Sequence, residues 1–112
     1  MVFHVLLFQP RADLSVADRE ALVASLATAL SAIPSIRRMH IGRRVRHGAL
    51  YEGLMDLDLG YAAVIEFDDL DGLRAYLAHP AHADLGTRFM QSLESGFLYD
   101  YEMWDAARAS EL

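Results

Sequence analysis

No cysteine occurs anywhere in the chain, which rules out a disulfide framework, a thiolate nucleophile and a Cys-ligated zinc site, and leaves the redox compartment open. No apolar run is long enough to span a bilayer. The first ten residues, Met1 to Pro10, are apolar but lack a basic leading region and a small-residue cleavage site, so a soluble cytoplasmic protein with no membrane partner is expected. Positive charge is also short. Ten basic residues against sixteen acidic ones give a net charge of −6. Arg37, Arg38, Arg43, Arg44 and Arg46 cluster, but no aromatic residues interleave with them, so nucleic acid is not an expected partner. The cluster reads as a solvated edge that discourages sheet-to-sheet pairing.

What is present is apolar. A hydrophobic fraction of 54% against 23% charged excludes disorder, and for 112 residues it exceeds what the core of one small monomeric domain absorbs. We read the surplus as a buried subunit contact.

Val2 to Gln9 reads as a strand with Val2, His4, Leu6 and Phe8 on one face and Phe3, Val5 and Leu7 on the other. Both faces are apolar, so helices must cover one and a second sheet or subunit the other. Ser15 offers an N-cap for a first helix whose stripe is Leu22, Val23, Leu26, Leu30 and Ile33, ended by Pro34. Ile36 to Val45 reads as an edge strand. Arg46 to Gly60 is a long connection rich in Leu, Tyr and Met, expected to pack on its own core or a second subunit, or to act as a lid. Tyr61 to Phe67 is a strand, and Asp69 caps a helix carrying Leu70, Leu73, Tyr76 and Leu77. Pro80 suits the first position of a helix and not its interior, so one helix stops at His79 and another runs to about Glu94, with Leu85, Phe89, Met90 and Leu93 as its stripe and Gly96 as its stop. Phe97 to Trp104 is the last strand, and residues 105–112 form a tail expected to fray. The order is that of an α+β, ferredoxin-like βαββαβ domain spanning residues 1–104, with a four-stranded antiparallel sheet. Its bare face predicts a homodimer closed into a dimeric α/β barrel.

The stretch Tyr76-Leu77-Ala78-His79-Pro80-Ala81-His82 is the chemical centre. Near neutrality an imidazole can remove a proton α to a carbonyl and return it to an aldol oxygen, which makes His82 a candidate acid/base. Asp100, if on the helix-covered face, would need a partner there, and His82 is the natural candidate. The competing architectural reading makes His82 part of the helix break, Tyr76 a core residue and His4 a satisfied core histidine. His79 and His82 are three apart, but Pro80 breaks the helical spacing and no third ligand lies near, so no metal is expected.

The segments Phe3-His4-Val5-Leu6-Leu7-Phe8, Gly60 to Phe67, Tyr76 to His82 and Asp100-Tyr101-Glu102 resemble the stress-responsive dimeric α/β-barrel (Dabb) family, over residues 2 to 104. The HPxH motif is the most specific part. The resemblance implies a barrel-forming homodimer without cofactor. Family members include plant stress-associated proteins and a plant polyketide cyclase that closes a linear tetraketide by aldol condensation. The pattern of that cyclase falls on His82 as acid/base, Tyr76 as its assistant, His4 in the same pocket and Asp100 as the group orienting the catalytic His. Leu6, Leu85, Leu93 and Leu98 are expected to line the substrate pocket. The Arg46 to Gly60 segment departs from the cyclase, whose connection is polar. The function expected is cofactor-independent, cyclase- or lyase-type proton transfer on a polyketide-like or phenolic molecule. The alternatives are a non-catalytic stress-associated scaffold and, by fold analogy alone, a cofactor-free monooxygenase or isomerase.

Overall fold

The computed structural model describes all 112 residues. Four strands, β1 (Val2–Pro10), β2 (Arg38–Arg43), β3 (Tyr61–Phe67) and β4 (Leu93–Glu102), form one antiparallel sheet in the order β2-β3-β1-β4. Helices α1 (Val16–Ala32), α2 (Leu70–Ala78) and α3 (Pro80–Ser92) cover one side. This is the ferredoxin-like arrangement that the element order predicts. The principal extents are 47 × 38 × 17 Å, the shortest being the thickness of a single sheet with one layer of helices.

Local chemistry sets the boundaries. Ser15 caps α1 by accepting the Asp18 amide at 3.1 Å, and Asp69 caps α2 by accepting that of Gly72 at 2.8 Å. The break at Pro80 is capped by His79, whose Nδ1 accepts the Ala81 amide at 3.0 Å. Three sequence expectations shift. The second helix of the pair ends at Ser92, so Leu93 opens β4 and leaves the helix stripe. Gly96 lies inside β4, where a Cβ would come within 3.0 Å of the Leu7 carbonyl oxygen; it permits a close strand approach and stops no helix. The tail forms a 3-10 turn over Ala106–Glu111, capped by the Asp105 side chain and braced by Arg108 stacked on Trp104 and paired with Glu111.

The core lies between α1, the α2–α3 break and the sheet, around the fully buried Phe67 with Val2, Ala29, Ile33, Ile65, Leu73, Tyr76 and Leu85. The α1 stripe differs from the expected one, since Leu30 and Val23 remain 46% and 60% exposed while Ser25 and Ala29 are buried. The reason is the packing of α1 on α3: small side chains allow close approach, and Ser25 Oγ donates to Asp84 Oδ2 at 2.5 Å across the contact. That bond, followed by the Arg88 guanidinium, holds the Asp84 carboxyl below the usual carboxylate range.

Registers place Phe3, Val5 and Leu7 on the outer face, opposite Tyr101, Tyr99 and Phe97 of β4 and beside Val64 and Ala62 of β3. Phe97, Tyr99 and Tyr101 form a row of neighbouring rings with centroids 6.1 and 6.3 Å apart, and nothing in the subunit covers them. The connection from Arg46 to Gly60 folds into a 3-10 turn at Leu50–Leu54 held by its own bonds: Glu52 accepts the His47 and Gly48 amides, and Asp58 pairs with Arg44 and Arg46. Its apolar side chains stay outside, with Leu50 86% exposed, so it does not pack on its own core as one expectation had it.

Replacing Phe67 by Ala empties the centre of this core. A loss of about 3–5 kcal/mol in urea unfolding is expected, with the slope unchanged.

Candidate functional site

Alternation along β1 sends His4, Leu6 and Phe8 under the helices, and the registers set Ile65, Ala63 and Tyr61 of β3 and Asp100, Leu98 and Gly96 of β4 beside them. Below α1 and α3 this face borders a cavity of about 490 Å³, partly open to solvent and within the size range of small-molecule sites. Its walls are almost wholly apolar; His4, Tyr76 and His82 bring polar side chains to one end, and Arg19 and Tyr61 also line it. Leu6, Leu85 and Leu98 line it as expected. Leu93 does not: as the first residue of β4 it packs beside Leu6, Phe8 and Ala63. Phe8, Leu22, Leu26 and Phe89 also line the cavity. Their signal was present in the sequence, since Phe8 shares the strand face of His4 and the others lie on the helix stripes. No residue of the Arg46 to Gly60 connection lines the cavity, which removes the lid reading.

Tyr76 is the centre of the polar end. Its ring lies 4.6 Å from that of His82, 5.8 Å from that of His4 and 5.2 Å from that of Phe67, centroid to centroid. The residue is 3% exposed, yet its hydroxyl reaches the cavity and is not among the buried groups lacking a partner; Ser35 Oγ alone is. Burial first, and the Asp100 charge second, push the Tyr76 hydroxyl up to about 12. It is therefore a proton-bearing donor throughout the physiological range.

His82 stands on the first turn of α3, directly after the Pro80 break. Burial pushes its pKa below the ordinary histidine value of 6.5; the nearby Leu77 backbone acts in the opposite sense, and His4 adds to the lowering. Near neutral pH the ring is an uncharged base. Gly86, one turn on, leaves room beside it: a Cβ there would lie 3.6 Å from His82 Cε1.

Asp100 corrects the sequence reading. It hydrogen-bonds to His4, not His82, with Oδ1 2.5 Å from His4 Nδ1. The cause is register, since His4 and Asp100 are opposed across the β1–β4 pair, whereas His82 stands on a helix above. A carboxylate only accepts, so the His4 Nδ1–H donates this bond. Asp100 thus orients the second histidine of the site, from a position 43% exposed at the sheet edge and outside the cavity wall.

His79 is occupied as a cap, and no group of three or more His, Asp or Glu side chains is placed to hold a metal ion. The chain also has no lysine, so no side-chain amine is present to form an imine. What remains is an acid/base set: two imidazoles, a high-pKa phenol and a carboxylate behind one ring.

A βαββαβ sheet with one bare apolar face and a cavity beneath its helices defines the subunit of the dimeric α/β-barrel class. The chain belongs to the stress-responsive A/B barrel (Dabb) family, whose profile, described as Stress responsive A/B Barrel Domain, matches residues 2–103. Two relatives align over nearly their whole length. The stress-response A/B barrel domain-containing protein HS1 of Arabidopsis thaliana is 29% identical over 103 residues, covering 90% of this chain and 88% of that protein. Olivetolic acid cyclase of Cannabis sativa is 22% identical over 102 residues, covering 89% and 94%. Among solved structures, a dimeric protein of unknown function and ferredoxin-like fold from Bacteroides fragilis superposes with a TM-score of 0.61 at 28% identity, covering 91% of this chain and 95% of that one. The hydroxynitrile lyase of Passiflora edulis superposes with a TM-score of 0.76 at 13% identity over 94% of both chains, a likeness of fold.

Alkaline titration followed by tyrosinate absorbance should show a step near pH 12 that is missing from Tyr76→Phe. Because the folded pKa lies above the ordinary 10.0, the stability that Tyr76 contributes is complete below pH 10 and is lost as pH rises through the folded value. A Tyr76→Phe titration curve identical to that of the parent would show that the hydroxyl is not in this environment.

Proposed function

We propose that this protein is a cofactor-independent enzyme of cyclase or lyase type that moves protons on an apolar carbonyl compound held under α1 and α3, of polyketide-like or phenolic character. The observation that carries the reading is the convergence of an uncharged His82 and a protonated Tyr76 on one apolar cavity, with the rings 4.6 Å apart. His82 removes a proton from the carbon α to the carbonyl. Tyr76 O–H donates to the oxygen on which the negative charge develops, and the low-polarity walls strengthen that bond. The enolate carbon adds to a second carbonyl of the folded ligand, and the alkoxide so formed takes the proton back from the His82 imidazolium, so the base is regenerated. His4, held by Asp100, stands beside them at the same end. The names of two similar proteins, an olivetolic acid cyclase and a hydroxynitrile lyase, support the reading because both name carbon-centred chemistry. A tightly filled helix break would have favoured an architectural HPxH segment; the cavity beside His82 favours chemistry.

Deuterium exchange at the carbons α to the carbonyl of decan-2-one, followed by NMR in D2O, tests the proton-transfer step. Exchange above the buffer rate is expected, falling by about 100-fold or more in His82→Gln. The rate should rise with pH through a value below 6.5 and then stay level, because only the neutral ring accepts a proton. The stability His82 contributes follows the same sign: complete above pH 6.5, and lost as pH falls through the lowered folded value. Undiminished exchange in His82→Gln would refute its role as base.

The same reading has the protein working as a homodimer joined through the outer sheet face. The bare Phe97, Tyr99 and Tyr101 row with Phe3, Val5 and Leu7 supports it, as does the dimeric state named for similar structures. A carboxylate set into that face by Leu7→Asp would be desolvated without a partner on pairing. Sedimentation should show a dimer for the parent and a monomer of unchanged helical content for the variant; a variant that stays dimeric would place the interface elsewhere.

A further inference from the structure

Arg19, Leu22, Val23 and Leu26 follow one another at i, i+3, i+4 and i+7, the spacing of a single helix stripe, and all four line the cavity. An arginine therefore stands where the pattern of α1 would have a hydrophobe. It is the one permanently charged side chain in the lining. None of the sixteen Asp and Glu residues lines the cavity, although the chain as a whole is acidic. Seven of the ten arginines have a carboxylate within 4.0 Å; Arg19, Arg38 and Arg43 do not. Of these three, only Arg19 reaches the cavity. The acidic residues nearest to it in sequence serve elsewhere. Asp18 lines a separate polar depression with Arg11 and Arg88, and Glu20, one position on, projects from a different side of the helix.

The two ends of the cavity differ in charge. Core contacts of α1 with Tyr76 and Phe67 run through Ala29 and Ile33, and Arg19 lies ten residues before Ala29, about 15 Å back along the helix. His4 and Pro10, both in the lining, are six residues apart on β1, or about 20 Å at strand rise. The cavity is thus a slot with the acid/base groups at the His4 end and Arg19 toward the end marked by Phe8, Pro10 and Leu14. At the first end the Asp100 carboxylate stands behind His4, and the two lining imidazoles include the uncharged His82. A negative ligand group is disfavoured there and favoured at Arg19, an exposed guanidinium at the mouth of the slot whose attraction is moderated by solvent and salt.

We propose that the ligand is an amphipathic carboxylate: its acid group is held by the Arg19 guanidinium, its apolar body lies along β1, and its far end reaches Tyr76 and His82. This rests on the reading of the cavity as a ligand site and adds its chemical class and orientation. Arginine suits the task because its planar fork can take both oxygens of a carboxylate.

The test compares decanoate with decan-1-ol at pH 7.5, each displacing the neutral fluorophore 1-aminoanthracene from the full-length protein. Decanoate should bind about tenfold more tightly than the alcohol, a preference that shrinks as salt is raised. In Arg19→Gln the preference should fall to about twofold or less with the affinity for decan-1-ol unchanged, which also shows that the variant is folded; Arg19→Lys should keep part of it. Equal binding of acid and alcohol by the parent, or a preference that survives in Arg19→Gln, overturns the carboxylate assignment and leaves an apolar ligand site standing. Failure of the fluorophore and both decyl compounds to bind overturns the ligand site and this inference together.

Discussion

The ring of Tyr76 is the contact on which the rest depends. It is wedged against Phe67 of β3 on one side and against His4 and His82 on the other, so one side chain joins the most buried point of the core to both imidazoles of the site. Aromatic faces of this kind pack with defined offsets, and a shift of the ring would move both histidines. The same burial raises the phenol to about 12 and lowers the neighbouring imidazole, because each is penalised for its charged form. Packing and acid/base tuning are one physical effect here.

Around that contact the subunit divides its apolar surface in two. The helix side of the sheet closes a core at the Phe67 end and leaves a ligand-sized slot along β1. The outer side remains bare, with the aromatic row of β4 beside the valine and leucine of β1. Burying about 25 cal/mol for each Å² of such surface provides the drive for pairing two copies, and it explains why 112 residues carry more hydrophobes than one core holds. The Arg46 to Gly60 segment belongs to neither side. Its own hydrogen bonds order it, and it keeps its leucines in solvent.

Much of the site could be read from residue types and spacing. Pro80 announced the helix break that puts His82 on a first turn, and period-two alternation put His4 on the covered face with Leu6 and Phe8. Leu93 was misplaced because helix and strand meet at Ser92 without a glycine or proline to mark the junction; Gly96, the apparent stop, serves a close approach between β1 and β4 instead. The partner of Asp100 was misread for a related reason. Both candidate histidines were visible, but which of them faces the carboxylate depends on the β1–β4 register, and local sequence does not encode register.

The sequence by itself determined the elements, their order, the apolar excess and the identity of three titratable groups that face the slot, His4, Tyr76 and His82, because period, capping and proline act over a few residues. Only the tertiary structure decided that Asp100 holds His4, that Tyr76 joins both imidazoles, that the long connection stays clear of the cavity and that Arg19 is left without an acidic partner at its far end. Those outcomes join residues tens of positions apart, and they follow from strand register and from how closely α1 can settle on α3 through Ser25 and Ala29. The HPxH stretch supplied His82 at the start of a helix. The fold around it set its protonation state and its companions.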